Sequence, residues 1–330
     1  MELAGLVALI AISLAFDFTN GFHDAANAIA VAVSTRALSP RVALILAAAM
    51  NLVGALISTS VAATVGKGVI ASPSGNAGLV LVFSAVVGAI AWNLITWRLG
   101  LPSSSSHALI GGLVGAAIAA GSEVKWAGIG GKVVAPMVIS PLTGFALGFL
   151  FMLALLWLFR RSNPHVVNRS FHYGQMAAAA AISLGHGLQD AQKTMGVITL
   201  SLVATGHLSS FRVPLWVILA AASAIGLGTL SGGWRIMRTL GRRVIKLDNA
   251  SGFAAQTVSS IVLYVSSHFG LPVSTTHVTT SSIMGVGATR KLSAVRWGVA
   301  GNIAAAWVLT LPAAAMVAAA VELGLHSILL

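Results

Sequence analysis

The opening stretch of the chain places polar side chains inside a segment that is otherwise apolar enough to cross a membrane. Five of them fall within eleven residues, around Gly21, namely Asp17, Asn20, His23, Asp24 and Asn27. A carboxylate at the centre of a membrane helix costs about 2.5–3.5 kcal/mol on insertion scales. Irregular backbone at membrane depth is tolerated only where it lines a polar cavity. The pattern therefore predicts a broken helix beside such a cavity, with a soluble helix carrying a polar face as the alternative.

The composition decides between these alternatives. Apolar residues make up 57% of the 330 residues and charged residues 8%, whereas about 25% of the residues in soluble domains are charged. Apolar runs recur along the whole length, which predicts an all-α polytopic protein in the inner (plasma) membrane. The net charge of +12 indicates basic cytoplasmic loops rather than a nucleic-acid partner. Cysteine is absent, which excludes disulfides and cysteine-ligated metals.

The polar motifs occur twice, in the same order and about 170 residues apart. NGFHDAA matches HGLQDAQ, GLPSSSSH matches GLPVSTTH, and the spacing of Trp126–Pro141 matches that of Trp297–Pro312. The sequence thus predicts a first transmembrane repeat over 1–160, a linker over 161–172 and a second transmembrane repeat over 173–330. Duplication with Gly- and Pro-interrupted segments in matching positions is typical of secondary transporters. Duplication for stability alone does not explain why the polar residues are the positions most similar between the two copies.

The orientation leaves one conflict in the topology. Placing Arg36, Arg41 and the basic cluster within 235–246 on the inside puts the N-terminus outside. A simple count of apolar runs then gives each half an even number of spans, whereas inverted repeats need an odd number. We therefore expect the serine-rich segments, or the proline-interrupted stretch near 136–141, to contain a crossing or a re-entrant hairpin. The predicted fold has two inverted repeats, broken helices, two re-entrant hairpins and about ten to twelve membrane segments.

The serine-rich segments after Leu101 and Leu271 predict an anion site. Ser, Thr and Pro at a helix start leave backbone N–H groups free, and hydroxyls with free N–H groups at a helix N-terminus bind anions. Two such tips that meet near the bilayer midplane would form a neutral oxyanion cage. A single SSSS run could be an ordinary turn, but its recurrence as STTH favours the cage.

Three further side chains have two interpretations each. His107 and His277 occupy matching positions. They either donate to an oxyanion or orient a hydroxyl, or they are buried and satisfied. Lys193 follows Asp190 by three residues, one helical turn. It either contacts the substrate or only compensates the charge of that aspartate.

An intramembrane serine hydrolase is the alternative from another class, because Ser106 directly precedes His107. The sequence has no G-x-S-x-G elbow, and the second copy reads Thr276-His277, so the serine is not kept. The sequence also has no Walker loop, which excludes ATP as the energy source. We therefore predict that the chain is not an enzyme.

At these motifs the chain resembles the inorganic phosphate transporter family called PiT, and most closely its bacterial low-affinity Pit phosphate permeases. The resemblance rests on NGFHDAANAIAVAVSTRAL, HGLQDAQKTMG, GLPSSSSHALIGG and GLPVSTTH, and it covers both repeats. It implies an inverted-repeat fold and secondary symport of phosphate. Another tetrahedral oxyanion, such as sulfate, is the alternative substrate. The phosphate-binding residues that the resemblance implies are Ser104, Ser105, Ser106, Ser274, Thr275, Thr276, Gln192 and Lys193. The implied partners are inorganic phosphate and the lipid bilayer, and a homodimer is a candidate assembly.

The coupling ion is predicted to be a proton, with sodium as the alternative and no other cofactor. Sodium-coupled members of the family carry Asn-Asp in both copies, whereas this chain has His23-Asp24 and Gln189-Asp190. Burial disfavours the charged form of a carboxylate, which favours proton exchange at an acid deep in an apolar segment. A metal–phosphate complex as the transported species is neither required nor excluded. The predicted ion-coupling residues are Asp17, Asp24, Asn27 and Asp190.

Overall fold

The computed structural model describes residues 2–70 and 74–329, and it consists of helices joined by short connections. No β-strand occurs in these two stretches, which confirms the all-α prediction. Short π-helical turns at Gly130–Val134 and Thr239–Arg243 and a 3-10 turn at Leu292–Ala294 adjoin the α-helices. The α-helices are α1 (Glu2–Ser34), α2 (Pro40–Ala55), α3 (Ser60–Gly68), α4 (Gly75–Leu99), α5 (Ser105–Ala119), α6 (Trp126–Ile129), α7 (Ala135–Leu158), α8 (Pro164–Ala204), α9 (Leu215–Ser231), α10 (Trp234–Arg238), α11 (Asn249–His268), α12 (Thr275–Ala288) and α13 (Trp297–Leu329).

Several of these helices suit a bilayer. Within the described residues four helical segments are long and apolar enough to cross a membrane, namely Leu3–Ser34, Gly75–Leu99, Trp126–Leu158 and Trp297–Ile328. Two bent pairs pass the same test together: α2 with α3, turned by 71°, and α9 with the α10 segment, turned by 58°. The chain is therefore a multi-pass membrane protein by the length and composition of its helices.

The broken helices exist, but their predicted place was wrong. α1 runs without interruption through Gly21, and the breaks fall between α2 and α3 and between α9 and α10. Gly21 serves close packing instead, because a Cβ there would overlap the backbone of α9 at Ile225, Gly228 and Thr229. The polar residues of α1 are thus carried on an intact helix.

The two serine- and threonine-rich segments form matching helical hairpins. α4 is followed by Gly100 (φ +68°), and Gly270 (φ +64°) lies two residues after α11. Both adopt a left-handed conformation that favours glycine. Four residues without secondary structure then lead into α5 in one hairpin and into α12 in the other. Thr239 Oγ1 donates to the carbonyl of Gly100, and Thr64 Oγ1 donates to that of Gly270, both at 2.8 Å. Each turn is therefore held by a threonine from the opposite half.

The two halves interlock. α1 packs on α9, while α8 packs on α2, and α5 packs on α13, while α12 packs on α7. Gly228 lies against the backbone of Phe18, and Gly187 lies against that of Asn51, so small residues allow both crossings. The inverted relation of the halves and their boundaries stay predictions. Most of the predicted linker belongs to the first turns of α8, which starts at Pro164.

Candidate functional site

Two buried aspartates, one on α1 and one on α8, meet the first residues of α5 and α12. Asp24 is 2% exposed and Asp190 is fully buried. The hairpin hydroxyls that face them are equally buried, and they are Ser105, Thr275 and Thr276. Direct hydrogen bonds therefore join the tips of both hairpins to both acid-bearing helices.

Asp24 accepts hydrogen bonds from four side chains. Ser105 Oγ donates to Oδ2 at 2.6 Å. On Oδ1, His23 Nδ1 lies at 2.8 Å, Asn27 Nδ2 donates at 3.2 Å and Thr276 Oγ1 donates at 3.2 Å. Asn27 Nδ2 also lies 2.7 Å from Thr276 Oγ1. This carboxylate therefore joins α1 to the tips of both hairpins.

Asp190 forms the equivalent centre on α8. Lys193 Nζ is paired with Oδ1, Thr275 Oγ1 donates to Oδ2 at 3.1 Å, and His186 Nε2 lies 2.8 Å from Oδ2. The charge compensation proposed for Lys193 is thus present in the fold. The same ammonium group would reduce the repulsion between this aspartate and an anion nearby.

The hairpin tips provide the free N–H groups that anion binding requires. Ser104 and Ser274 are the N-cap residues of α5 and α12, and each accepts a hydrogen bond from the backbone N–H three residues on, at 3.2 Å. The other first-turn N–H groups of both helices have no partner within their own helix. Ser106 Oγ lies 3.4 Å from the carbonyl of Val273, so it ties one hairpin to the other. Donors from two helix N-termini are thereby concentrated beside the aspartates.

Gln192 has a structural role that its sequence position does not reveal. Its Oε1 accepts hydrogen bonds from the backbone N–H groups of Val61 at 2.7 Å and Ala62 at 3.2 Å, in the first turn of α3. Its Nε2 donates to the carbonyl of Leu188. The amide therefore caps the second half of the broken pair α2–α3, and none of its hydrogen bonds in this structure reaches the hairpin hydroxyls.

His186 belongs to the site but is absent from the sequence-based candidates. Besides Asp190 it contacts Asn51, whose Oδ1 lies 3.0 Å from His186 Nδ1, and Asn51 in turn donates to Thr229. Ligand atoms of Asp24, His186 and Asp190 all lie within 4.8 Å of one another, a donor set that could hold a cation. The i,i+4 spacing of His186 and Asp190 on one helix was the signal that could have found it.

The third predicted acid, Asp17, lies apart from these two centres. It is fully buried, and neither carboxylate oxygen has a hydrogen-bond partner among the described residues. Asn20 and Thr194 are the polar side chains that face it. Of the three acids, it alone makes no hydrogen bond within the described part of the chain.

His107 and His277 lie beyond the hairpin tips and contact each other. Their rings meet edge to face with centroids 4.8 Å apart, and His277 stacks on Trp307 at 4.0 Å. The hydroxyl of Ser106 bonds to Val273 and not to His107, so Ser106 and His107 do not form the serine–histidine pair that nucleophilic catalysis requires.

The chain is similar to known proteins over nearly its whole length. The model of the phosphate transporter family matches residues 20–318. A probable low-affinity inorganic phosphate transporter of Rhizobium meliloti is 50% identical over 95% of this chain and 94% of its own length. One from Bacillus subtilis is 44% identical over 95% of both chains. A solved structure, the sodium-dependent phosphate transporter, is 25% identical and superposes with a TM-score of 0.91 over 99% of this chain and all of its own. These relatives are named as transporters, which confirms the prediction that the chain is not an enzyme.

Proposed function

The chain belongs to the phosphate transporter family, and on that premise we propose that it carries inorganic phosphate across the inner (plasma) membrane as a secondary symporter driven by protons. One observation carries the proposal. Asp24 and Asp190, on two different helices, each accept a hydrogen bond from the tip hydroxyl of a different hairpin. Substrate that enters between the tips would therefore disturb contacts that connect both halves of the molecule, as coupled transport requires.

Phosphate can replace these contacts without a net loss of hydrogen bonds. When phosphate binds, the hydroxyl groups of Ser105 and Thr275 would donate to phosphate oxygens instead of to the aspartates. Phosphate at neutral pH still carries one or two protons, so its P–OH groups can donate to the carboxylates of Asp24 and Asp190, which only accept. Lys193 offsets part of the negative charge brought together. The exchange uses the groups that face each other in the structure.

The distribution of charge supports an orientation. Arg235 donates to the carbonyl of Arg98 at 2.7 Å, and Arg296 donates to that of Arg242 at 3.3 Å, so the ends of α4, α10 and α13 share one basic face. Arg290 pairs with Asp248 on that face. Lys and Arg accumulate on the cytoplasmic side of membrane proteins. We assign this face to the cytoplasm, with the start of α1 outside.

Sodium is the alternative coupling ion, and one observation favours it. The solved structure that this chain resembles is that of a sodium-dependent transporter, and Asp24, His186 and Asp190 could hold a small cation. A proton agrees better with the sequence, because His23 and Gln189 occupy the positions at which sodium-coupled members have the asparagines of their Asn-Asp pairs. Sulfate stays the alternative substrate, and the homodimer stays a prediction.

Uptake into proteoliposomes tests the proposed function. The purified chain should accumulate labelled phosphate when a proton gradient is imposed in sodium-free buffer, and empty liposomes should not. Labelled sulfate should enter weakly and should be displaced by phosphate. Saturable sulfate uptake that phosphate does not reduce would contradict the proposed substrate, and absolute dependence on sodium would contradict the proposed ion.

A further inference from the structure

The three buried acids near the site differ in what their carboxylates contact. Asp24 has four polar partners and Asp190 has three. Asp17, fully buried on α1 two turns before Asp24, has none among the described residues. A buried carboxylate that makes no hydrogen bond is strongly disfavoured in its ionised form. The arrangement around Asp17 therefore suits the neutral, protonated acid.

The surroundings of Asp17 can accept a carboxyl proton. Asn20 follows one turn later on α1, and Thr194 faces it from α8. Both are fully buried, and Asn20 Oδ1 and Thr194 Oγ1 lack hydrogen-bond partners in residues 2–70 and 74–329. A protonated carboxyl needs a single acceptor for its O–H group, and each of these oxygens supplies one. Asn20 Nδ2, which is also unpartnered in the described residues, and the Thr194 hydroxyl can donate to the ionised form.

The charged groups near Asp17 do not fix its charge state. Asp190 and Lys193 are the charged groups that face it from α8, and they are already paired with each other. α9, which also packs along α1, has no titratable side chain in its sequence. The ionisable residues of α2 and α4, Arg41 and Arg98, lie at helix ends, in the first and last turns.

We propose, on the basis of the proposed function, that Asp17 with Asn20 and Thr194 is the site that takes up and releases the coupling proton, separate from the phosphate site. The carboxylate gains a proton from the external side and loses it to the cytoplasm, and no other bond changes. Thr194 directly follows Lys193 on α8, and Asp17 shares α1 with Asp24. Both helices that carry the phosphate site therefore also form the proton site, which provides the link that symport needs.

Two transport assays on the same proteoliposomes separate coupling from substrate handling. One measures proton-driven accumulation of labelled phosphate, and the other measures exchange of labelled for unlabelled phosphate with equal pH on both sides. Asp17→Asn removes the titrating group but keeps the shape. It should abolish proton-driven accumulation, while exchange continues within about threefold of the parent, a small effect on a logarithmic energy scale. The matched variant Asp24→Asn should lose both, because its residue contacts the hairpin tips.

The outcomes distinguish this inference from the proposed function. If the parent neither accumulates nor exchanges phosphate, the proposed function fails. If the parent does both and Asp17→Asn still accumulates phosphate on a proton gradient, only the proton site is wrong. Accumulation that follows a sodium gradient at equal pH, and that Asp17→Asn abolishes, would make the site a sodium site and would also overturn the inference.

A second pair of variants tests the site if Asp17→Asn does not fold. Asn20→Ala and Thr194→Val each remove one acceptor that faces Asp17. Both should shift the pH at which accumulation is half-maximal, without a matching change in exchange. A pH profile identical to that of the parent in both variants would contradict the assignment.

Discussion

Ser105 Oγ donates a hydrogen bond of 2.6 Å to Asp24 Oδ2 and so joins the tip of α5 to the middle of α1. Thr275 makes the equivalent contact with Asp190 at 3.1 Å, between α12 and α8. In this state the hydroxyls that would bind an anion are engaged by carboxylates. Substrate must therefore compete with these contacts, and the following expectations depend on that competition.

Removal of either hydroxyl should weaken phosphate binding. Ser105→Ala and Thr275→Ala each delete one donor to a charged group, which is worth about 1.5–3 kcal/mol, or about tenfold or more in affinity. Calorimetric titration with phosphate measures the change. Ser209→Ala, at an exposed serine outside the site, is the control and should bind like the parent. Parent-like affinity in both hairpin variants would show that the tips do not contact phosphate.

The aspartates should discriminate phosphate from sulfate. An ionised carboxylate accepts the P–OH proton, but it faces an unprotonated sulfate oxygen with repulsion and no partner. Asp24→Asn or Asp190→Asn places an amide donor there, so the ratio of phosphate to sulfate affinity should narrow. Binding measured without transport isolates this effect from coupling. If the ratio in both variants is as large as in the parent, these aspartates do not contribute to substrate selectivity and serve only the coupling ion.

Gln192 should contribute to stability through α3. Gln192→Met leaves the N–H groups of Val61 and Ala62 without their acceptor, which should destabilise the fold by about 1–3 kcal/mol. Gln192→Glu keeps an acceptor and adds a charge that a helix N-terminus favours, so its melting temperature should stay near that of the parent. Thermal unfolding in detergent compares the two. Equal melting temperatures for both variants would contradict the capping role.

The carboxyl of Asp248, on the basic face, should make the stability of the fold decrease at low pH. Burial alone would raise the pKa of its carboxyl, but hydrogen bonds from Ser251 and the charge of Arg290 outweigh this and hold the pKa below its usual value. A carboxyl with a lowered folded-state pKa stabilises the fold above its unfolded pKa of about 3.9. That contribution is lost as the pH falls through the folded value.

The test is thermal unfolding as a function of pH. Asp248→Asn keeps a residue that can cap α11, and its melting temperature should fall less than that of the parent below about pH 4. The effect should be small, because both partners of the ion pair are nearly half exposed. The same acid-induced decrease in both proteins would exclude a contribution from this carboxyl.

The sequence predicted the parts of the site that depend on local chemistry. Ser105 and Thr275 could be identified because hydroxyls at a helix start have a direct physical use and occur in both copies. Asp24 and Asp190 could be identified because acids are rare in apolar segments. Local patterns were therefore sufficient for the hydroxyls and carboxylates that meet at the centre.

The features that were missed depend on contacts between distant residues. Gly21 suggested a break in α1, but it provides close contact with α9, which the local sequence does not specify. The break between α2 and α3 is capped by Gln192 from more than 120 residues away. The place of His186 depends on Asn51 as well as on its own helix. Such tertiary contacts override local propensity.

The most direct test of the central claim is a structure of the protein determined with phosphate. The phosphate should lie between the N-termini of α5 and α12, with Ser105 Oγ and Thr275 Oγ1 within hydrogen-bond distance of its oxygens and a P–OH group directed at Asp24 or Asp190. Phosphate bound elsewhere, with Ser105 still bonded to Asp24 at 2.6 Å, would contradict it.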